Sequence, residues 1–266
     1  MLGSPVNVSE GRDIGTIAAL TAAAGRDLLD LHTDPHHHRS VLTIVGERAV
    51  RAVATVAVER IDLRTHHGAH PRLGALDVVP FVPLGGSELA DALRARDEFA
   101  SWLSATHGVP CFLYGSERSL PEVRRAAFRT IPPDLGPDAP HPSAGATAVG
   151  ARGPLVAYNL WLRSDLTTAR RVAGLVRGPG IRALGLEVGD RVQVSMNLID
   201  PHVMGPADAY DLVMRTASAV GAVVEGAELV GLLPASVLEA IPHERWAALD
   251  LDADRTIEAR LAARAG

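Results

Sequence analysis

Between Arg64 and Phe81 the chain reads RTHHGAHPRLGALDVVPF. Its first eleven residues hold three histidines, His66, His67 and His70, together with two arginines. Imidazole titrates near neutral pH, so it can take up a proton in one step and return it in the next. A guanidinium presents a planar fork that matches a carboxylate. Gly68 and Gly74 admit backbone shapes that a side chain would block, and Pro71 fixes the chain directly after His70. The spacing presents His70 and Arg72 from a shaped loop beside the apolar run that follows. Proton transfer fits His70, and carboxylate binding fits Arg72. Asp77 can orient an imidazole or cap a turn, while His66 and His67 are supporting residues at most. The residue types alone leave the reaction open.

A second histidine cluster, HTDPHHHRS, runs from His32 to Ser40. In an extended chain His36 and His38 share a face, with His32 close in sequence. Three consecutive histidines cannot all reach one ion from a strand, and the chain has neither HExxH nor a cysteine pair. A loop lining a polar pocket is the preferred reading, and no metal is expected. Glycine-rich phosphate loops, GxGxxG and a serine nucleophile elbow are also missing, so a nucleotide cofactor and serine hydrolase chemistry have no support. In the second half, Ser195, Met196 and Asn197 end a strand; Asn197 is kept as a substrate-binding candidate, and Glu228 reads as an ion-pair partner.

The 266 residues suffice for one large or two small domains with buried cores, at 47% hydrophobic and 21% charged. A net charge of −5 gives no reason to expect nucleic acid or an anionic membrane as partner. The single cysteine, Cys111, fits a reducing cytoplasm, and neither a membrane span nor a signal peptide is expected. All 26 basic residues other than histidine are arginine, so no lysine can serve as a nucleophile.

The elements that position these groups follow from periodicity. Helices are predicted at Ile14 to Ala24, Glu47 to Arg60, Ser87 to Thr106 with Ser87 as N-cap, Leu166 to Val176 and Ala207 to Val220. Strands are predicted at LLDLHTD, RSVLTIVG, DVVPFVPL, PCFLYG, LVAYNLWLR, RALGLEV, RVQVSMNLID and AVVEGAELVGLLP, after a short stub at VNVSEG. Gly189-Asp190 marks a hairpin turn. The prolines of DVVPFVPL place that strand at an edge or at a strand end. Ile131 to Gly145 is too rich in proline and glycine for a helix, and is either a linker or a crossing between two compact units. Glu244 to the end is expected to form a helical tail for packing or dimer contact. Each half reads β-α-β-β-α-β, the split βαβ pattern. The fold class is therefore α/β (α+β): two ferredoxin-like sandwich subdomains with a ligand groove between them.

Several stretches together resemble one family, the formiminotransferase domain of glutamate formimidoyltransferase. They are NVSEGRD (Asn7 to Asp13), HxGxHPRxGAxDVxPFxP from His66 to Pro83, Tyr114-Gly115, DLGP, SAGATAVGAR (Ser143 to Arg152), QVSMNL (Gln193 to Leu198) and GAELVGLLP (Gly226 to Pro234). The resemblance implies an N-terminal subdomain at 1–152 and a C-terminal subdomain with its tail at 153–266. It implies a cytoplasmic homodimer that uses tetrahydrofolate as co-substrate and moves a formimidoyl group from N-formimidoyl-L-glutamate to N5, in histidine degradation. The family's catalytic histidine falls on His70. Its folate segment falls on Gly136, Pro137, Asp138, Ala139, Pro140, His141, Pro142, Ser143, Ala144 and Gly145. Arg39 or Arg72 would hold a substrate carboxylate. The chain departs from the family at DLHTDP and HHHR, where His32 and His38 stand in place of an acid and an asparagine; both are carried as substrate-binding candidates. The alternatives are a different one-carbon donor or 5-formyltetrahydrofolate as substrate, a non-catalytic folate binder, and a metal-dependent hydrolase built on the histidine cluster.

Overall fold

A computed structural model of the protein describes residues 1–68 and 71–265. The expectation for His70 lies outside the described residues. The chain divides into two compact units, Met1–Gly153 and Pro154–Gly266.

The first unit runs β1 (Leu2–Val8), α1 (Ile14–Ala24), β2 (Leu28–Asp34), β3 (Arg39–Val45), α2 (Glu47–Arg60), β4 (Leu76–Pro83), α3 (Leu89–His107), β5 (Cys111–Tyr114), α4 (Leu120–Ala126) and β6 (Thr147–Ala151). Its sheet has the order β2-β3-β1-β4-β6-β5. The first four strands pair antiparallel, and β6 joins β4 and β5 in parallel. Asp13 opens α1 by accepting the Gly15 and Thr16 amides at 3.0 and 3.3 Å. Apolar residues three and four apart on α2 (Ala49, Val50, Val53, Ala54, Ala57) bury one stripe of that helix. They share a core with Val6, Leu42, Ile44, Phe81, Phe99 and Cys111. Val78, Phe112, Tyr114 and Val123 form a second, smaller cluster that includes α4.

The second unit runs β7 (Val156–Arg163), α5 (Leu166–Val176), β8 (Ile181–Val188), β9 (Arg191–Leu198), α6 (Pro206–Ala219) and β10 (Val223–Val230). The strands of its sheet pair antiparallel, in the order β10-β7-β9-β8. Alternation along β7 buries Val156, Tyr158, Leu160 and Leu162 in that unit's own core. The split βαβ order occurs in both units, which bears out the expected pair of α/β (α+β) subdomains.

Five details differ from the sequence reading. The helix α4 and the strand β6 join the first unit beyond the elements read from its sequence. The strand β4 lies inside the sheet rather than at an edge. It pairs with β1 as Leu2↔Pro83, Gly3↔Val82 and Asn7↔Val78, a register that sets Pro5 opposite Pro80. Neither residue carries an N–H, so this position of the ladder leaves no donor without an acceptor. The N-cap of α3 is Glu88, with the Asp91 carboxylate accepting the Glu88 amide at 3.0 Å; Ser87 contacts the N-terminal amine instead. Residues 131–145 lie within the first unit and lead into β6, so they are not a linker. The tail is not one helix: α7 (Ala235–Glu239) and three 3-10 turns precede α8 (Ile257–Ala265).

Candidate active site

Three segments of the first unit converge beside the ends of β1, β3 and β4. The first follows β1. Glu10 is buried, and its Oε1 accepts the amides of Gly11, Arg12 and Asp13 at 2.9, 2.8 and 2.9 Å. The Gly11 amide also reaches His38 Nδ1 at 3.1 Å. The same Nδ1 lies 3.3 Å from Glu10 Oε1, so it accepts from the amide or donates to the carboxylate according to the tautomer.

The second segment is the β2–β3 turn. His38 takes a left-handed backbone with φ 51°, and its ring stacks on His66 at 3.9 Å between centroids. Burial depresses the His38 imidazole, and the Arg12 and Arg72 charges depress it further against the opposing pull of Glu10. Burial likewise lowers His66, helped by Arg72 and His38, to about 4. Both rings are therefore neutral at pH 7. His37 is turned away from this pair: its Nδ1 meets Asp34 Oδ2 at 2.5 Å. Burial opposes ionisation of Asp34, but the bonds from His37 prevail and bring it down to about 2.

The third segment is the loop before β4. Arg72 contacts His66 Nδ1 and donates to the Gly68 carbonyl at 2.6 Å. A Cβ at Gly68 would stand 2.6 Å from the His37 carbonyl oxygen, so only glycine allows the two turns to approach this closely. Asp77 is wholly buried and has charged partners on two sides. Its Oδ2 accepts from Arg39 Nη1 at 2.6 Å and from Arg124 Nη2 at 2.7 Å, and its Oδ1 accepts the Leu73 amide at 2.7 Å. Burial disfavours the charge, but the two arginines hold the Asp77 carboxyl well below the usual carboxylate range. Arg39 also donates to Asn7 Oδ1, from Nη2 at 2.6 Å and from Nε at 3.2 Å.

The loop before β4 is joined to residues 141–146. Leu63 donates to the Ser143 carbonyl at 2.8 Å, Ala75 to Ala144 at 2.9 Å, and Ala146 to Leu73 at 3.0 Å. At Gly74 an added Cβ would lie 2.1 Å from the Ala146 carbonyl oxygen. His141 Nδ1 accepts the Ala144 amide at 3.0 Å, closing a turn whose ends pair as His141↔Gly145. Gly136 to Pro140 are exposed and Ala144 is buried.

Of the sequence candidates, Arg39, Arg72 and His38 therefore meet in one network, and residues 141–145 are fastened to the loop that carries Arg72. His32 lies on β2 opposite Val41. Asn197 lies in the second unit, on β9, paired with Ala157 and Arg182. Arg39 has Asp77 as a carboxylate of its own, and Asp77 accepts from two arginines and from the Leu73 amide. Among the described residues, no group of three or more His, Cys, Asp or Glu side chains converges as a metal site. Asn7, Glu10 and Arg124 were not singled out as site residues by sequence. The first two stand in the NVSEGRD motif; Arg124 carries no sequence signal.

The chain was compared with known proteins. The family model described as the formiminotransferase domain, N-terminal subdomain, matches residues 1–152, and that of the formiminotransferase domain matches residues 157–244. This chain belongs to the formiminotransferase domain family. Membership makes it a transferase, as the sequence motifs implied. A glutamate formimidoyltransferase of Streptococcus pyogenes serotype M1 is 36% identical over 87% of this formiminotransferase chain and 88% of its own. A protein of the same name from Thermoplasma acidophilum is 32% identical, with the same two coverages. The formimidoyltransferase-cyclodeaminase of Sus scrofa is 36% identical over 87% of this chain, which spans 50% of that longer protein. No helix among the described residues is long and apolar enough to cross a membrane.

Proposed function

We propose that the protein transfers the formimidoyl group of N-formimidoyl-L-glutamate to N5 of tetrahydrofolate, in histidine degradation, with His70 as the proton shuttle. The observation that carries this reading is the match of both formiminotransferase models across the chain, the first spanning the HHGAHPR loop. N5 attacks the amidine carbon and a C–N bond forms, giving a tetrahedral intermediate. The N5 proton leaves, the glutamate nitrogen receives a proton, and the bond from carbon to that nitrogen breaks. The products are 5-formimidoyltetrahydrofolate and glutamate. One imidazole can perform both transfers in turn, which is worth roughly 10²–10⁴-fold.

The surroundings support this chemistry. Arg72 contacts His66, the Glu10 carboxylate lies 3.3 Å from His38 Nδ1, and a guanidinium fork of this kind suits a substrate carboxylate. Residues 136–145, assigned to folate by resemblance, are hydrogen-bonded through 143–146 to the loop that carries Arg72. A cytoplasmic homodimer is the working form we infer from the same resemblance. The test is an assay with tetrahydrofolate and N-formimidoyl-L-glutamate, following 5,10-methenyltetrahydrofolate after acid cyclisation. Transfer by the wild type and its loss in His70→Ala, with folate still bound, is expected; full transfer by that variant would remove His70 from the mechanism.

A second reading has its own observation. His38, neutral and stacked on His66, offers no negative charge to a cationic formimidinium. A different one-carbon donor would then be used. Folate binding without turnover of N-formimidoyl-L-glutamate, and turnover with another donor, would favour it.

A further inference from the structure

The turn from β1 to α1 carries an arginine that stands outside both histidine clusters in sequence but reaches one of them in space. Arg12 follows Gly11, where an added Cβ would lie 2.3 Å from the Asp34 carbonyl oxygen and 2.6 Å from the Arg39 amide nitrogen. Glycine there lets the segment lie directly against the ends of β2 and β3. Arg12 Nε then donates to the Pro35 carbonyl oxygen of the β2–β3 turn at 2.7 Å. The tether uses the inner nitrogen of the guanidinium alone. Among the described residues, Nη1 and Nη2 have neither a hydrogen bond nor an ion pair, and the residue is exposed.

A chain of contacts runs from Arg12 through this turn to His38, from His38 by stacking to His66, and from His66 to Arg72. The two cations feel each other. Burial lowers Arg72 from its ordinary value against the pull of Asp77, and the Arg12 charge adds to the lowering. At His38, where burial again leads, the same charge acts in the same direction. Two guanidiniums that repel each other, at the ends of a pair of neutral rings, form a place for an anion with more than one negative group.

N-formimidoyl-L-glutamate is such an anion. Its α-carboxylate is borne on the carbon that holds the amidine nitrogen, so it falls to Arg72, on the loop to which the transfer is assigned. Its γ-carboxylate lies two methylene groups further out and calls for a cation of its own. We propose that Arg12 binds this γ-carboxylate with the outer fork of its guanidinium, and so makes the protein select a dicarboxylic formimidoyl donor. The proposal rests on N-formimidoyl-L-glutamate being the donor.

The test uses the full-length protein as Arg12→Gln and Arg12→Lys. The donors are N-formimidoyl-L-glutamate, its γ-amide N-formimidoyl-L-glutamine, and N-formimidoyl-4-aminobutyrate, which lacks the α-carboxylate; one that is not turned over is read as a competitive inhibitor. With the parent donor, Arg12→Gln is expected to raise KM about ten- to a hundredfold, the effect of one lost bond to a charged group. The kcat value and the KM for tetrahydrofolate stay within about threefold, because the contact is made equally before and in the transition state. The wild type is expected to handle the γ-amide as poorly as Arg12→Gln handles the parent, and Arg12→Gln to lose nothing further with it. N-formimidoyl-4-aminobutyrate keeps the distal carboxylate and shows the full effect of the substitution. Arg12→Lys recovers part of the affinity, as a point charge in place of a fork. Equal losses with the parent donor and its γ-amide overturn the proposal, as does a loss that vanishes with N-formimidoyl-4-aminobutyrate. A loss confined to KM for tetrahydrofolate also overturns it, by placing Arg12 on the glutamyl tail of the folate. No transfer from N-formimidoyl-L-glutamate by the wild type would instead remove the reading on which it rests, so the two failures are told apart.

Discussion

At the scale of single residues, the site is organised by charges that are wholly or largely buried. Asp77 is the clearest case: a carboxylate with no exposed surface, between Arg39 and Arg124. Removing one partner of a buried ion pair typically costs about 3–5 kcal/mol, because the other charge is left uncompensated. Asp77→Asn is nearly isosteric and keeps an acceptor for the Leu73 amide, yet leaves two arginines facing a neutral amide. A loss of stability in that range is expected in urea unfolding, and a loss below about 1 kcal/mol would mean that solvent reaches the network. The neutral histidines have a consequence of the opposite sign from the usual. His66 is held at about 4 against an ordinary value of 6.5. Between these values the unfolded chain binds a proton that the folded chain refuses. Stability from this source is full above about 6.5 and falls as pH drops toward about 4. The slope of unfolding free energy between pH 7 and pH 5 is expected to be shallower in His66→Gln than in the wild type. Equal slopes would show that the ring takes up its proton while folded.

At the scale of elements, the loop before β4 and residues 141–146 behave as one piece, since each supplies the other's backbone partners. Gly74→Ala places a Cβ against the Ala146 carbonyl oxygen, and overpacking of this kind costs typically about 1–3 kcal/mol. Faster hydrogen exchange at the Ala75 and Ala146 amides is expected in that variant, with β7 to β10 unaffected; unchanged exchange at both amides would mean that the contact yields elsewhere. The elements themselves were readable where periodicity is strong. Leu166–Val176 was predicted to the residue, because Asp165 caps it and four apolar residues fall on one face. The strand β6 escaped notice: Thr147 to Ala151 are small residues, all buried, so the strand shows no alternation. Pro80 misled because its effect depends on another proline, Pro5, seventy-five positions earlier. The same holds for the site. His70 and Arg72 stand out locally, as histidine and arginine between glycines. Arg124 does not, since its partners Pro71 and Asp77 are brought to it only by the folded sheet.

At the scale of the whole molecule, each unit has a hydrophobic core of its own. Chains built in this way commonly depart from a single two-state transition. Calorimetry of the full protein is expected to give a calorimetric enthalpy larger than the van't Hoff enthalpy, and equality of the two would mean that both cores melt as one. The composition adds a practical property. Cys111 is the only thiol, it sits in the first core, and burial, with the Asp134 charge adding to it, pushes it up to about 12. At neutral pH almost none of it is thiolate, the form that reacts with alkylating probes. The chain has no lysine either, so the N-terminal amine is the sole amine. A cysteine introduced at exposed Ser101 would therefore take a maleimide dye alone, with the native thiol left in place. An amine-reactive dye at Met1 would supply a second colour, and the pair would report unfolding of the first unit by energy transfer.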